Sequence, residues 1–396
     1  MDTGFNKFTI QLEASHARKV RAREDALVRA GLAITDEPRA WPEARPLPRR
    51  TPRLARFFRP PSLVIFQSGI SACKSAIDFE TSDPLKIHVF DTYHLGRANI
   101  IAVTALETDR GLVLFDAGPE SAFQRIVSEL RKVGFQPTDV CHVFLSHIHF
   151  DHAGAAWRFA ELGATVYVHP RGLPHLIDPA KLIASAKRIF GDEMEKLWGR
   201  VAAVPADRVK VLEDGEVIQL PPFEIRAIAT PGHASHHHVY HWDDSVFGGD
   251  IAGVRIGLGP PIPPFVPPEL HIESWHDSIA KIRALNATHL YLPHFGKIEG
   301  EVSEHLAALD ERVARWSEWL RDKIRAGMNE DELRSAFATY EHDALGMGSG
   351  VTNIEGLITD YETADPSHMA VSGAMRYWQK YHPDQITTEQ STLIIN

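Results

Sequence analysis

The stretch Ser146-His147-Ile148-His149-Phe150-Asp151-His152 constrains this chain more than any other. Three histidines and a carboxylate follow directly on the apolar run Val143-Phe144-Leu145. Neutral imidazole and carboxylate are the ligands that borderline divalent metals such as zinc prefer. The apolar run reads as a buried strand, and Ala153-Gly154-Ala155-Ala156 opens a helix. The cluster therefore belongs on a tight loop at the carboxyl end of a strand, where open α/β sheets place their ligands. Alternation points His147 and His149 the same way, while Asp151 and His152 diverge as the chain turns. That divergence suits two adjacent metals better than one. A histidine-rich surface loop is the competing reading, and it leaves the spacing unexplained.

The chain has 396 residues, 44% apolar and 24% charged, which fits a globular protein with ample core. Cys73 and Cys141 are the two cysteines, too few for a disulfide framework and not a Cys-x-x-Cys pair. A reducing, cytoplasmic setting is the default expectation. Residues 1–60 carry 13 Lys/Arg against 7 Asp/Glu, which leaves about −16 of the net −10 on the remainder. A body this acidic is poorly suited to gripping a phosphate backbone, so no nucleic-acid partner is expected. No run of about 18 apolar residues exists, so no membrane span is expected.

Residues 1–85 read as a basic, Pro/Arg-rich N-terminal extension. Gln11 to Ala30 has helical spacing, and residues 37–61 hold seven prolines, which disfavours packed structure. Arg49-Arg50 with the later apolar residues up to Cys73 imitates an export or lipoprotein signal. Its apolar run is too short and its basic region starts too late for that reading to lead.

From Lys86 the texture changes. Lys86–Phe90, Asn99–Leu106 and Gly111–Phe115 read as strands, and Glu120–Gly134 as a helix ended by its glycine. Val140–Leu145 and Ala164–Val168 are further strands, with a mostly helical insertion over 172–199. Val209–Leu212, Glu216–Leu220, Phe223–Ala229, Tyr240–His241 and Ser245–Phe247 return to strand character. A loop with six prolines spans Gly257–Pro268, followed by a helix at His271–Leu285 and a strand at His289–Leu292. Helices are expected at 301–326 and 330–345, the second opened by a capping box of Asn329 and Glu332, and one more at Ser367–Tyr381. Strand after strand ends in a metal-competent residue: Asp116, the histidine loop, His233, Asp250 and His294.

That series resembles the five-motif signature of the metallo-β-lactamase-fold hydrolases, over about residues 86–300. The resemblance implies an α/β (α+β) fold, a four-layer αββα sandwich with the metal site at one sheet edge, here carrying extra C-terminal helices over 301–396. Residue by residue, His147, His149 and His233 match one metal's ligands, and Asp151, His152 and His294 the other's. Asp250 matches the carboxylate that bridges both. Asp116 matches a residue that orients the ligand loop, and Thr230, three residues before His233, is expected to support it in the same way.

Two Zn²⁺ about 3.5–4 Å apart would lower the pKa of a bridging water towards 7, giving hydroxide to attack a carbonyl or phosphoryl centre. Fe and Mn are the alternative metals. Asp151 or Asp250 is the candidate acceptor for the proton of that water. Tyr93 and His94, on the loop Thr92–Asn99, are candidates for the substrate pocket and the leaving-group acid. Of His236, His237 and His238, at most His237 is expected near the metals, in a structural role.

Departures from the family's branches narrow the choice. Lactam-cleaving members that use a cysteine ligand carry it where Asp250 stands. Flavodiiron proteins have glutamate in place of the second histidine, His149. The acidic body lacks the basic, aromatic-rich insertion of the nucleases. The closest style is that of glyoxalase II and the N-acyl-homoserine lactonases, although Gly253 stands where lactonases often have tyrosine. The leading expectation is a dinuclear zinc hydrolase of a small ester, thioester or lactone, with homodimerisation left open. A mononuclear iron persulfide-dioxygenase type of enzyme and a phosphodiester hydrolase on the same fold are the alternatives.

Overall fold

A computed structural model describes residues 86–221, 223–346 and 351–387. The expectations for residues 1–85 lie outside these. Two mixed sheets form the frame, and each strand's side chains divide between two faces. The first sheet holds β1 (Ile87–Asp91), β2 (Ala102–Thr108), β3 (Gly111–Phe115), β4 (Val140–Phe144), β5 (Thr165–Val168) and β6 (Val209–Val211), in that spatial order. β1, β2 and β3 pair antiparallel, whereas β3 to β6 run parallel. The second holds β7 (Val217–Leu220), β8 (Phe223–Ala229), β9 (His238–Trp242), β10 (Ser245–Phe247), β11 (His289–Leu292) and β12 (Gly296–Lys297). Only its β10–β11 pair is parallel.

Parallel neighbours need crossover segments, and these supply the outer layers. On the first sheet they are α1 (Phe123–Lys132), α2 (Phe150–Ala153) and α3 (Ala156–Glu161). The 172–199 insertion forms α4 (Leu173–Ile177), α5 (Ala180–Phe190) and α6 (Met194–Trp198). Beyond these come α7 (Ile272–Ala284), α8 (Val302–Arg325), α9 (Glu330–Gly346), α10 (Ile354–Ala364), α11 (Ser367–Tyr381) and the short α12 (Pro383–Ile386). α1 buries Phe123, Ile126, Val127 and Leu130, the spacing of one helical face, on the outer side of the first sheet. Between the sheets Phe115 stacks on Phe247 and Phe144 on Tyr167, 4.3 Å between centroids for the latter pair. The outer face of the second sheet carries Trp275, Ile279 and Ile282 of α7, then Leu309, Val313 and Trp316 of α8, in one core that continues to Phe337, Tyr361 and Trp378. The αββα sandwich with added C-terminal helices is therefore present.

Three departures from expectation stand out. β2 starts at Ala102 rather than Asn99, because Asn99 is left-handed (φ 62°) and the Asp91 carboxylate accepts from the amides of both Tyr93 and Asn99, at 2.9 Å each. The helix at Glu120 begins as a 3₁₀ turn and becomes α-helical at Phe123. α10 was not anticipated, although Asn353 caps it by accepting from Gly356 N at 3.0 Å. The Asn329–Glu332 capping box forms as expected, with reciprocal bonds of 3.1 and 3.0 Å.

Among the C-terminal helices Glu341 is 2% exposed, and one of its carboxyl oxygens has no hydrogen-bond partner. Burial first, then the Glu362 charge, pushes its carboxyl up to about 8, against an ordinary 4.5, despite Arg312 nearby. The folded state thus keeps a proton that the unfolded chain releases above about pH 4.5. Stability falls as pH rises from there towards 8, by at most about 1.4 kcal/mol per unit. Glu341→Gln is expected to melt higher than the parent at pH 8 and at nearly the same temperature at pH 5. A melting difference independent of pH would refute the assignment.

Candidate metal centre

Seven side chains converge where the two sheets meet at one edge. His147, on the loop after β4, places Nε2 2.9 Å from His149 Nδ1, and His233 Nε2 approaches them at 3.2 and 3.1 Å. Beside them His152 Nε2 lies 3.2 Å from Asp151 Oδ2 and 3.2 Å from Asp250 Oδ1. His294 Nε2 is 3.4 Å from Asp151 Oδ2 and 3.6 Å from Asp250 Oδ1. Asp250 turns its other oxygen to the first group, 3.4 Å from His233 Nε2 and 3.9 Å from His147 Nε2. Two groups that could each hold a metal ion result: His147, His149 and His233, and Asp151, His152, Asp250 and His294.

The far side of each ring fixes which nitrogen faces inward. His233 Nδ1 donates to the Pro264 carbonyl at 2.9 Å, and His294 Nδ1 to the Ile100 carbonyl at 2.8 Å. His152 Nδ1 donates to Asp116 Oδ2 at 2.9 Å. His147 Nδ1 bonds to Ser146 Oγ at 3.0 Å, and that hydroxyl in turn donates to Asp116. The tautomers follow from these partners. Inward-facing Nε2 lone pairs of His147 and His233 then stand 3.2 Å apart, an arrangement only an electropositive guest relieves. His152 Nε2 and Asp250 Oδ1 are buried without a hydrogen-bond partner. The donor set therefore fits divalent metal ions.

Electrostatics agree. Burial, then neighbouring histidines, holds His147 well below the usual imidazole range. Burial also lowers His233, and it lowers His149 to about 4, so all three keep free lone pairs at neutral pH. Burial alone would lower His152 and His294 too, but the carboxylates facing them win and hold both above the usual value. Conversely burial would raise Asp151 and Asp250, and the adjacent histidines hold both below the carboxylate range, hence ionised.

The supporting residues divide into expected and unexpected. Asp116, itself at φ 60°, accepts from Ser146 N at 2.7 Å, a bond that ties it to the histidine loop. Thr230 touches none of the seven: its hydroxyl meets His237 Nδ1 at 2.9 Å. His237 Nε2 accepts from Asp250 N at 3.1 Å, so Thr230 acts on the carboxylate turn through His237 rather than on His233. His236 also comes close, 5.8 Å ring to ring from His149, which the sequence reading did not foresee. His94 is buried and stacks on Trp198 at 5.4 Å, and burial lowers it to about 4. Tyr93 is 44% exposed beneath the Arg125 guanidinium, with a left-handed backbone (φ 50°), and is not in the lining of the cavity over the site.

A cavity of about 310 Å³ opens over the site, lined by His94, His149, Asp151, His233, Asp250 and His294. Its far walls are mainly apolar: Leu182, Ile189, Phe190 and Trp198 from the insertion, Pro264 and Val266 from the proline loop, and Met369 from the C-terminal helices. The C-terminal wall, Thr363–Met369, carried no signal in the sequence.

A mixed αββα sandwich with a His/Asp cluster at its edge defines a class of metal-binding fold. A sequence model of the metallo-beta-lactamase superfamily matches residues 96–294, and the chain belongs to that superfamily. It is 29% identical over 139 residues to a metallo-beta-lactamase fold-containing protein of Sulfurisphaera tokodaii, 34% of this chain and 53% of that one. To an N-acyl homoserine lactonase of Bacillus cereus it is 28% identical over 156 residues, 33% of this chain and 54% of that one. The chain thus spans about half the length of the curated relatives it matches. Among solved structures, a metallo-beta-lactamase family protein of Thermus thermophilus superposes with TM-score 0.54 at 19% identity, covering 75% of this chain and 93% of that one. Among the described residues no helix is long and apolar enough to cross a membrane.

Proposed function

We propose that the chain is a dinuclear zinc hydrolase acting on a small, uncharged ester, thioester or lactone. The observation that carries this reading is Asp250, whose two carboxyl oxygens face the two ligand groups separately, at 3.2 to 3.9 Å. His147, His149 and His233 would hold one zinc, Asp151, His152 and His294 the other, with Asp250 between. Zinc bound there supplies hydroxide at neutral pH and polarises the scissile carbonyl. Asp151 or Asp250, both ionised, would take the proton of the attacking water.

The cavity supports the substrate class. Among the described residues no Lys or Arg lines it, while two ionised carboxylates do. Away from the metals, an anionic tail such as the carboxylates of a glutathione thioester would find no Lys or Arg to pair with, and an apolar acyl group finds the walls that α5, α6 and the proline loop provide. The lactonase among the similar proteins points the same way.

Metal analysis together with a substrate panel tests the proposal. Two zinc ions per chain are expected, with kcat/KM for neutral acyl esters and lactones at least about ten-fold above that for carboxylate-bearing analogues. One iron per chain with oxygen consumption on a persulfide would overturn it in favour of the dioxygenase reading.

A further inference from the structure

Asp365 lines the same cavity as the ligand side chains, at the junction of α10 and α11. It is 4% exposed, yet among the described residues nothing hydrogen-bonds its carboxyl group, and only its amide is engaged, to Tyr361 O at 2.7 Å. Buried polar groups in folded proteins are almost always paired, and an exception calls for a partner outside the chain. The partner's place is the cavity onto which Asp365 opens.

We infer that Asp365 is a catalytic residue, whose carboxyl group gives its proton to the leaving oxygen as the ester or lactone bond breaks. The inference rests on the hydrolase reading above. Water oxygen bonds to the carbonyl carbon, the acyl C–O bond breaks, and its electron pair goes to the leaving oxygen, which takes the Asp365 proton. Asp365, left as carboxylate, regains a proton from solvent, replacing the one that the attacking water gave up.

Its surroundings keep the acid protonated until then. Burial acts first, and the Glu362 carboxylate of α10 adds negative charge beside it, so the carboxyl stays well above its ordinary value. A neutral carboxylic acid can donate to an oxygen, whereas a carboxylate cannot. No family motif marks the residue, which lies beyond the matched segment 96–294.

The test compares two leaving groups on Asp365→Asn, which keeps the size and removes the acid. An alkyl ester or aliphatic lactone needs a proton on its leaving oxygen, whereas a p-nitrophenyl ester of the same acyl chain does not. The variant is expected to lose about 10²-fold or more in kcat on the alkyl substrate and less than about three-fold on the p-nitrophenyl ester. Zinc content and melting temperature should match the parent. Equal losses on both substrates, or no loss on either, overturn the assignment. If the parent protein hydrolyses neither substrate, the hydrolase reading itself fails, so the two failures are distinct.

Discussion

Asp250→Ala is expected to abolish hydrolysis, lowering kcat/KM on the order of 10³-fold or more, and to leave the protein without either metal ion. The reasoning is geometric. Among the described residues Asp250 is the one side chain with an oxygen within 4 Å of histidines of both ligand groups, Oδ2 towards His147 and His233 and Oδ1 towards His152 and His294. Removing it takes a negative charge from a site of five imidazoles and leaves each group a ligand short. His149→Ala, by contrast, strips only the first group, and one metal should remain. Metal content by elemental analysis then orders the series: two in the parent, one in His149→Ala, none in Asp250→Ala. If Asp250→Ala kept both metals and activity within ten-fold of the parent, the two-site reading would be wrong.

That hierarchy could largely be read from the sequence, because metal ligation needs particular atoms at the ends of particular strands. The His147–His152 spacing states two ligand directions in one loop, and His233, Asp250 and His294 each close a β run. What could not be read there depends on how distant segments dock. Tyr93 and His94 are neighbours on one loop, yet Tyr93, with a left-handed φ, lies under Arg125 while His94 stacks on Trp198 in the cavity wall. Thr230 is three residues from His233 in sequence, whereas folding brings its hydroxyl to His237, seven residues on. Asp365 is the extreme case. It falls in tail sequence ahead of the helix expected at Ser367, and only the packing of α10 and α11 against the proline loop brings it to the cavity, with Gly373 backbone against Phe265.

The Thr230-Pro231-Gly232-His233 turn shows the coupling between core and site most directly. Gly232 sits at φ +147°, and a Cβ there would lie 2.6 Å from Trp275 Cα and 2.8 Å from Trp275 N. Trp275 cannot retreat: it is fully buried, its indole donates to Ile251 O at 3.0 Å, and its ring meets His233 edge-on at 5.9 Å. Ile251 in turn follows Asp250. Gly232→Ala is therefore expected to destabilise the fold by about 3 kcal/mol or more, combining overpacking with backbone strain. It should also push His233 off its partners and weaken metal binding. Gly300→Ala provides the control, because Gly300 shares a positive φ (+95°) but a Cβ there meets nothing within 4 Å. Strain alone should cost that variant about 1 kcal/mol and leave metal content unchanged. Denaturant melts of the two variants separate the causes: near-equal losses would mean that backbone strain, and not the approach of α7, dictates the glycine before His233.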